Sequence, residues 1–154
     1  MTEITPRAQT STMQAFANRV VRGMLRTPLV ARGIGRKLVT IYVVGRKSGR
    51  RYSIPVAYER GGDRLLVGSP FPWVRNLRTG ESVDIRLQGR RRQADVEVLS
   101  EEADVVPLYA EMCRKNRIFA NFNKISIDDS GEPSSDDLRA AWVAGARAIW
   151  LSPR

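Results

Sequence analysis

Five residues, Gly45-Arg46-Lys47-Ser48-Gly49, place two cations and a hydroxyl between two glycines. Arginine offers a fork of donors, lysine a point charge and serine a hydroxyl, a set that suits a phosphate or a carboxylate. The glycines permit a tight turn in which successive backbone N–H groups can point at one anion. Arg50, Arg51 and Tyr52 extend the basic edge. This is not a Walker A loop, because the long glycine-spaced run ending in Gly-Lys-Ser/Thr is absent. The same composition also serves as the solvated tip of a hairpin, and these residues alone leave both roles open.

The chain of 154 residues has no histidine, which removes every histidine-based triad, zinc site and imidazole general base. No clustered Asp/Glu spacing suggests a carboxylate metal site, so no metal is expected. Proton transfer must come from a tyrosine, a serine, a carboxylate, water or the ligand. Tyr42, Tyr58 and Tyr109 are candidate donors, nothing in the sequence ranks them, and no catalytic residue is assigned. The one cysteine, Cys113, forbids an internal disulfide and suits a reducing cytosol.

The net charge of +10 is unevenly placed. Residues 1–60 carry 12 Lys/Arg against Glu3 and Glu59, and the remainder balances at 14 of each sign. Such a first segment faces something anionic: a phosphorylated cofactor, a nucleic acid or an acidic membrane. Nucleic acid is not the expected partner, because neither an RNP-type aromatic pattern nor a helix-turn-helix is present.

The elements that must position these residues follow from periodicity and punctuation. Residues 1–10 are expected to be disordered. Ser11 caps an amphipathic helix over 11–28, with Met13, Phe16, Ala17, Val20, Val21, Met24 and Leu25 on one face and Arg19, Arg22 and Arg26 on the other. The stripe is expected to pack on its own domain, and a peripheral contact with anionic lipid through residues 11–28 is the alternative. No apolar run reaches the ~20 residues of a membrane span, and the first residues lack a secretory pattern. A cytoplasmic protein is expected, with attachment at the inner face of the membrane as its variant.

Six strands follow: 38–44, 51–59, 64–69, 81–88, 91–99 and 146–151, rich in β-branched and aromatic residues. Pro55 fits an edge or a bulge of the second. Gly61-Gly62-Asp63 and Gly89 predict hairpins. A short helix is expected over 73–79. Ser100 and the two glutamates after it open a helix that breaks at Pro107 before a second one runs toward Arg117. Residues 128–137 read as a mobile loop, and Ser135 as the cap of a helix to Val143. The fold class is mainly β with flanking helices (α+β): a small six-stranded barrel forming one domain over 11–154.

The strand bearing Gly-Arg-Lys-Ser-Gly, the proline in the next strand, the Gly-Gly-Asp hairpin and Trp73-Val74-Arg75-Asn76-Leu77 come in a particular order and spacing. That order resembles the deazaflavin-dependent nitroreductase family, a branch of the split-β-barrel flavin and deazaflavin oxidoreductases, over roughly residues 13–99. The resemblance implies an FMN-binding-barrel-like fold. It implies coenzyme F420 as the cofactor, with FMN as the alternative, and hydride transfer to an electron-poor small molecule such as a quinone or nitro compound. It further implies that Arg46, Lys47, Ser48 and Gly49, with Arg51, hold the cofactor's phosphate and acidic tail. Trp73, Asn76 and Ser69 would border the deazaflavin, and Pro55 belongs to the same motif. The chain departs from the family pattern at Tyr52, where a basic residue is usual, and at the shortened Pro70-Phe71-Pro72. It departs again at Phe119 and Phe122, where relatives carry tyrosines. Those departures bear on the acceptor more than on the cofactor. Two other classes stay open: an F420- or FMN-binding carrier with little catalysis, and a basic nucleic-acid-binding module. The residues name neither the acceptor nor the oligomeric state.

Overall fold

One residue, Tyr58, decides how the sheet closes. The computed structural model describes residues 37–154. The expectations for a disordered start and for an amphipathic helix over 11–28 lie outside the described residues. Strand β1 (Leu38–Val44) pairs antiparallel with β2 (Arg51–Ala57), and β3 (Glu59–Gly61) pairs with β4 (Arg64–Ser69). Strands β5 (Ser82–Leu87), β6 (Arg90–Leu99) and β7 (Arg147–Pro153) complete one antiparallel sheet in the order β2-β1-β5-β6-β7-β4-β3. Its two edges, β2 and β3, are neighbours in sequence, with only Tyr58 between them. The sheet therefore curls back on itself as a split barrel.

This corrects the expected count from six strands to seven among the described residues. The run from Arg51 to Glu59 is not one strand, because its two halves bond to opposite ends of the sheet. Tyr58 makes the corner. Its N–H donates to the Lys37 carbonyl at 2.9 Å, and its side chain is buried. Beside it the carboxylate of Glu59, itself buried, pairs with the Lys37 ammonium at 3.1 Å.

Alternation along the strands makes two cores. Val39, Ile41, Val43, Leu65, Val67, Ile85, Ile149 and Leu151 point into the barrel and are fully or almost fully buried. Each such side chain contributes about 1.5–3 kcal/mol relative to exposure. Leu66 and Ala148, on the opposite face, meet a layer of three helices: α1 (Glu102–Lys115), α2 (Arg117–Phe122) and α3 (Ser135–Val143). Gly68 marks where α1 comes nearest. A Cβ there would lie 2.8 Å from Met112 Cε and Tyr109 Cε1, and 2.9 Å from Phe119 Cζ.

Several local expectations change. The segment after Pro70-Phe71 is a 3-10 helix, Pro72–Asn76, shorter than the helix expected over 73–79 and with Pro72 inside its first turn. Helix α1 runs unbroken through Pro107. The lost N–H costs about 3 kcal/mol in a helix interior, and burial of Val105, Tyr109, Met112 and Cys113 on one face outweighs it. Helix α2 forms because the Asn116 side chain accepts from the N–H groups of Ile118 and Phe119. The stretch expected as a loop over 128–137 is instead a built turn followed, from Ser135, by the first residues of α3. Asp128 Oδ1 accepts from Ser130 N, Ser130 Oγ and Glu132 N, and the Ser130 hydroxyl above all holds this carboxyl below its usual range. The cap of α3 is Ser134, one place before the expected Ser135.

Candidate functional site

The basic turn joins β1 to β2 and closes through its own backbone. Gly45 N–H donates to the Arg50 carbonyl at 2.8 Å, and Gly49 N–H to the Gly45 carbonyl at 2.9 Å. Gly49 has φ +68°, a conformation that glycine adopts without strain. Arg50 N–H donates to Ser48 Oγ at 3.3 Å, and Arg46 N–H to Asn76 Oδ1 at 3.2 Å. Four backbone donors are thus engaged within the protein. Those four N–H groups are therefore not free for an anion, and the side chains of Arg46, Lys47 and Ser48 are all exposed.

Asn76 is the strut that holds this turn. It closes the 3-10 helix, its Nδ2 donates to the Trp73 carbonyl at 3.1 Å, and its Oδ1 reaches the turn. An ordinary surface amide would do neither.

Between the turn and the segment 76–83 lies a cleft of about 840 Å³. Arg46, Gly49, Arg51 and Asn76 of the expected site residues line it, together with Arg78, and Val44, Leu77 and Val83 supply apolar wall. Lys47 and Ser48 stand on the same turn beside it. The other expected residues lie elsewhere. Trp73 is 3% exposed and packs in the barrel core. Ser69 is buried, and its hydroxyl accepts from Phe71 N–H at 3.2 Å. Pro55 sits in β2 opposite Thr40. Phe119 packs edge-on against Tyr109 and Phe122 against Phe71, and neither lines the cleft.

Of the three tyrosines considered as proton donors, only Tyr42 lines the cleft. Its hydroxyl accepts from Arg86 Nε at 3.2 Å. Tyr109 is buried under α1, its hydroxyl has no hydrogen-bond partner among the described residues, and burial raises its pKa far above the ordinary phenol value.

Sequence reasoning missed the surroundings of Tyr42. The guanidinium carbons of Arg51 and Arg91 lie 4.6 Å and 5.1 Å from its ring centroid. Asp84, its register partner on β5, places Oδ2 3.5 Å from Arg51 Nη2 and 3.9 Å from Arg91 Nη2. The run Arg90-Arg91-Arg92 was a readable charge signal, but its position beside Tyr42 depends on how β1, β5 and β6 pair. Among the described residues no group of three or more His, Cys, Asp or Glu is placed to hold a metal ion. Within those residues no helix is long and apolar enough to cross a membrane.

No protein-family model matches the chain, and no curated protein does. Solved structures do. The heme storage protein HutZ from Vibrio cholerae is 16% identical, with 77% of this chain and 82% of that one covered at a TM-score of 0.50. An F420 reductase is 12% identical, covering 77% and 87% at a TM-score of 0.46. An FMN-binding, pyridoxamine 5′-phosphate oxidase-related protein from Nostoc punctiforme is 14% identical, covering 82% and 81% at a TM-score of 0.46. At these identities the likeness is one of fold.

Proposed function

We propose that this chain is an F420H2-dependent oxidoreductase that passes a hydride to an electron-poor small molecule such as a quinone or nitro compound. The observation that carries the reading is the turn at 45–49, fixed by Asn76 beside a cleft of about 840 Å³. That volume lies within the range of small-molecule and cofactor sites, roughly 300–1,000 Å³. The lining suits a ligand with an anionic end and a flat apolar body. Arg46, Lys47 and Ser48 would hold the cofactor's phosphate and Arg51 its acidic tail, while Val44, Leu77 and Val83 would flank the ring. A bound deazaflavin supplies the hydride. The protein's own part is to bind, orient and exclude water, which needs no histidine.

Titration of the purified chain with F420 and with FMN, followed by fluorescence, tests this. Several cations near one turn favour the ligand with more negative charges. Deazaflavin should bind at least tenfold more tightly, about 1.4 kcal/mol. Equal affinities, or tighter FMN, reject the cofactor assignment. Tight deazaflavin binding without turnover of menadione or a nitroimidazole would instead support a carrier.

A further inference from the structure

Asp84 is the only acidic side chain among the described residues that pairs with a cation lining the cleft, Arg51, and it also pairs with Arg91, which stands outside that lining. One oxygen, Oδ2, faces both Arg51 and Arg91, whose guanidinium groups also lie over or beside the Tyr42 ring. Arg86 adds a third cation at the Tyr42 hydroxyl. A tyrosine with two guanidinium groups near its ring and one carboxylate between them is a built anion seat already filled from within. All three charged partners of the seat are about half exposed, at 47–52%. Ion pairs so exposed contribute little net stability, so displacing the carboxylate is inexpensive.

We infer that the Tyr42–Arg51–Arg91 cluster is the seat of a second anionic group of the ligand, and that Asp84 occupies it until that group displaces it. The seat and the basic turn open on the same cleft, which Tyr42, Arg46, Arg51 and Asp84 all line. A ligand spanning both carries at least two separated anions, phosphate or carboxylate. Asp84 then acts as a specificity residue: a ligand with a single anion satisfies the turn and leaves the carboxylate in place. The inference rests on reading this cleft as a ligand site, not on which cofactor fills it.

The test uses the full chain and two probes, sodium tripolyphosphate and a triglutamate peptide, with binding measured by calorimetry. Asp84→Asn should tighten one or both probes by about three- to fivefold, the scale of one exposed ion pair. Which probe gains more tells phosphate from carboxylate. Glu81→Gln removes an equal charge from the same cleft without touching the seat, and should change affinity less than twofold. In an Arg51→Ala background the gain from Asp84→Asn should disappear. Equal effects of the two acid substitutions, a gain that persists without Arg51, or no binding of either probe would overturn the seat. Circular dichroism checks that each variant is folded. A parallel deazaflavin titration separates the two readings. Probes behaving as expected without deazaflavin binding would sink the cofactor and keep the seat. Deazaflavin binding equally to wild type and Asp84→Asn would sink the seat and keep the cofactor.

Discussion

The Oδ1 atom of Asn76 accepts a hydrogen bond from the backbone N–H of Arg46 at 3.2 Å, tying the 3-10 helix to a turn 30 positions earlier. The same amide donates to the Trp73 carbonyl, so the turn is anchored through a residue whose ring is buried in the barrel. The charges of an exposed turn are thereby held relative to the core.

Loss of that strut should be felt in binding. Asn76→Ala removes both the bond to Trp73 and the exposed bond to the turn. The latter is worth about 1 kcal/mol, and deazaflavin affinity should fall about fivefold, since 1.4 kcal/mol is tenfold. The thermal midpoint should change little. Asn76→Asp keeps the acceptor for Arg46 N–H and should recover part of the loss at high salt. Unchanged affinity in Asn76→Ala would show that the turn holds its shape without the strut.

Replacing both Arg46 and Lys47 by alanine should weaken cofactor binding at constant stability. Both side chains are exposed, so the fold has little to lose. Each charge-assisted bond removed costs about 1.5–3 kcal/mol of binding. A double variant that titrates like wild type would reduce the turn to a soluble hairpin end.

Gly68→Ala should act on stability alone. The added methyl meets Met112, Tyr109 and Phe119 at under 3.0 Å, and two of those neighbours are rings packed edge to face. Overpacking of this kind costs about 1–3 kcal/mol. The urea midpoint should drop with an unchanged slope. A wild-type midpoint would mean that α1 shifts outward at no cost.

Stability should also fall at alkaline pH. Burial pushes the Cys113 thiol up to about 11 from an ordinary value of 9.0, and the buried Tyr109 hydroxyl is pushed up as well. In that window the unfolded chain releases protons that the folded chain keeps. The stabilisation is full below the unfolded pKa and is lost as pH rises through the folded one. Urea midpoints measured between pH 8 and pH 11, an interval of about three pH units around these values, should decline steadily. Cys113→Ala should show a shallower decline, and an identical slope would exclude the thiol as a contributor.

Elements with local signals were legible in the chain. β-branched runs flanked by glycine marked most strands, and Gly62, Gly89 and Gly49 marked turns that the backbone makes with positive φ. Where a local rule failed, a distant contact had overridden it. Pro107, itself exposed, stays helical because Val105, Tyr109, Met112 and Cys113 on the other face of its helix are buried, and residues 128–132 are tied by bonds to Asp128 and by the Arg114–Glu132 pair. The basic turn was legible as a cluster of donors, but the use of its backbone N–H groups was not. That Asn76 braces the turn, that Trp73 lies in the core and that Arg51 shares Asp84 with Arg91 follow from packing between distant segments. The reason is physical: strand register and edge pairing are set by contacts between residues far apart in the chain. One residue, Tyr58, sends β2 and β3 to opposite edges of the sheet, and no window of sequence around it records which edge each will join.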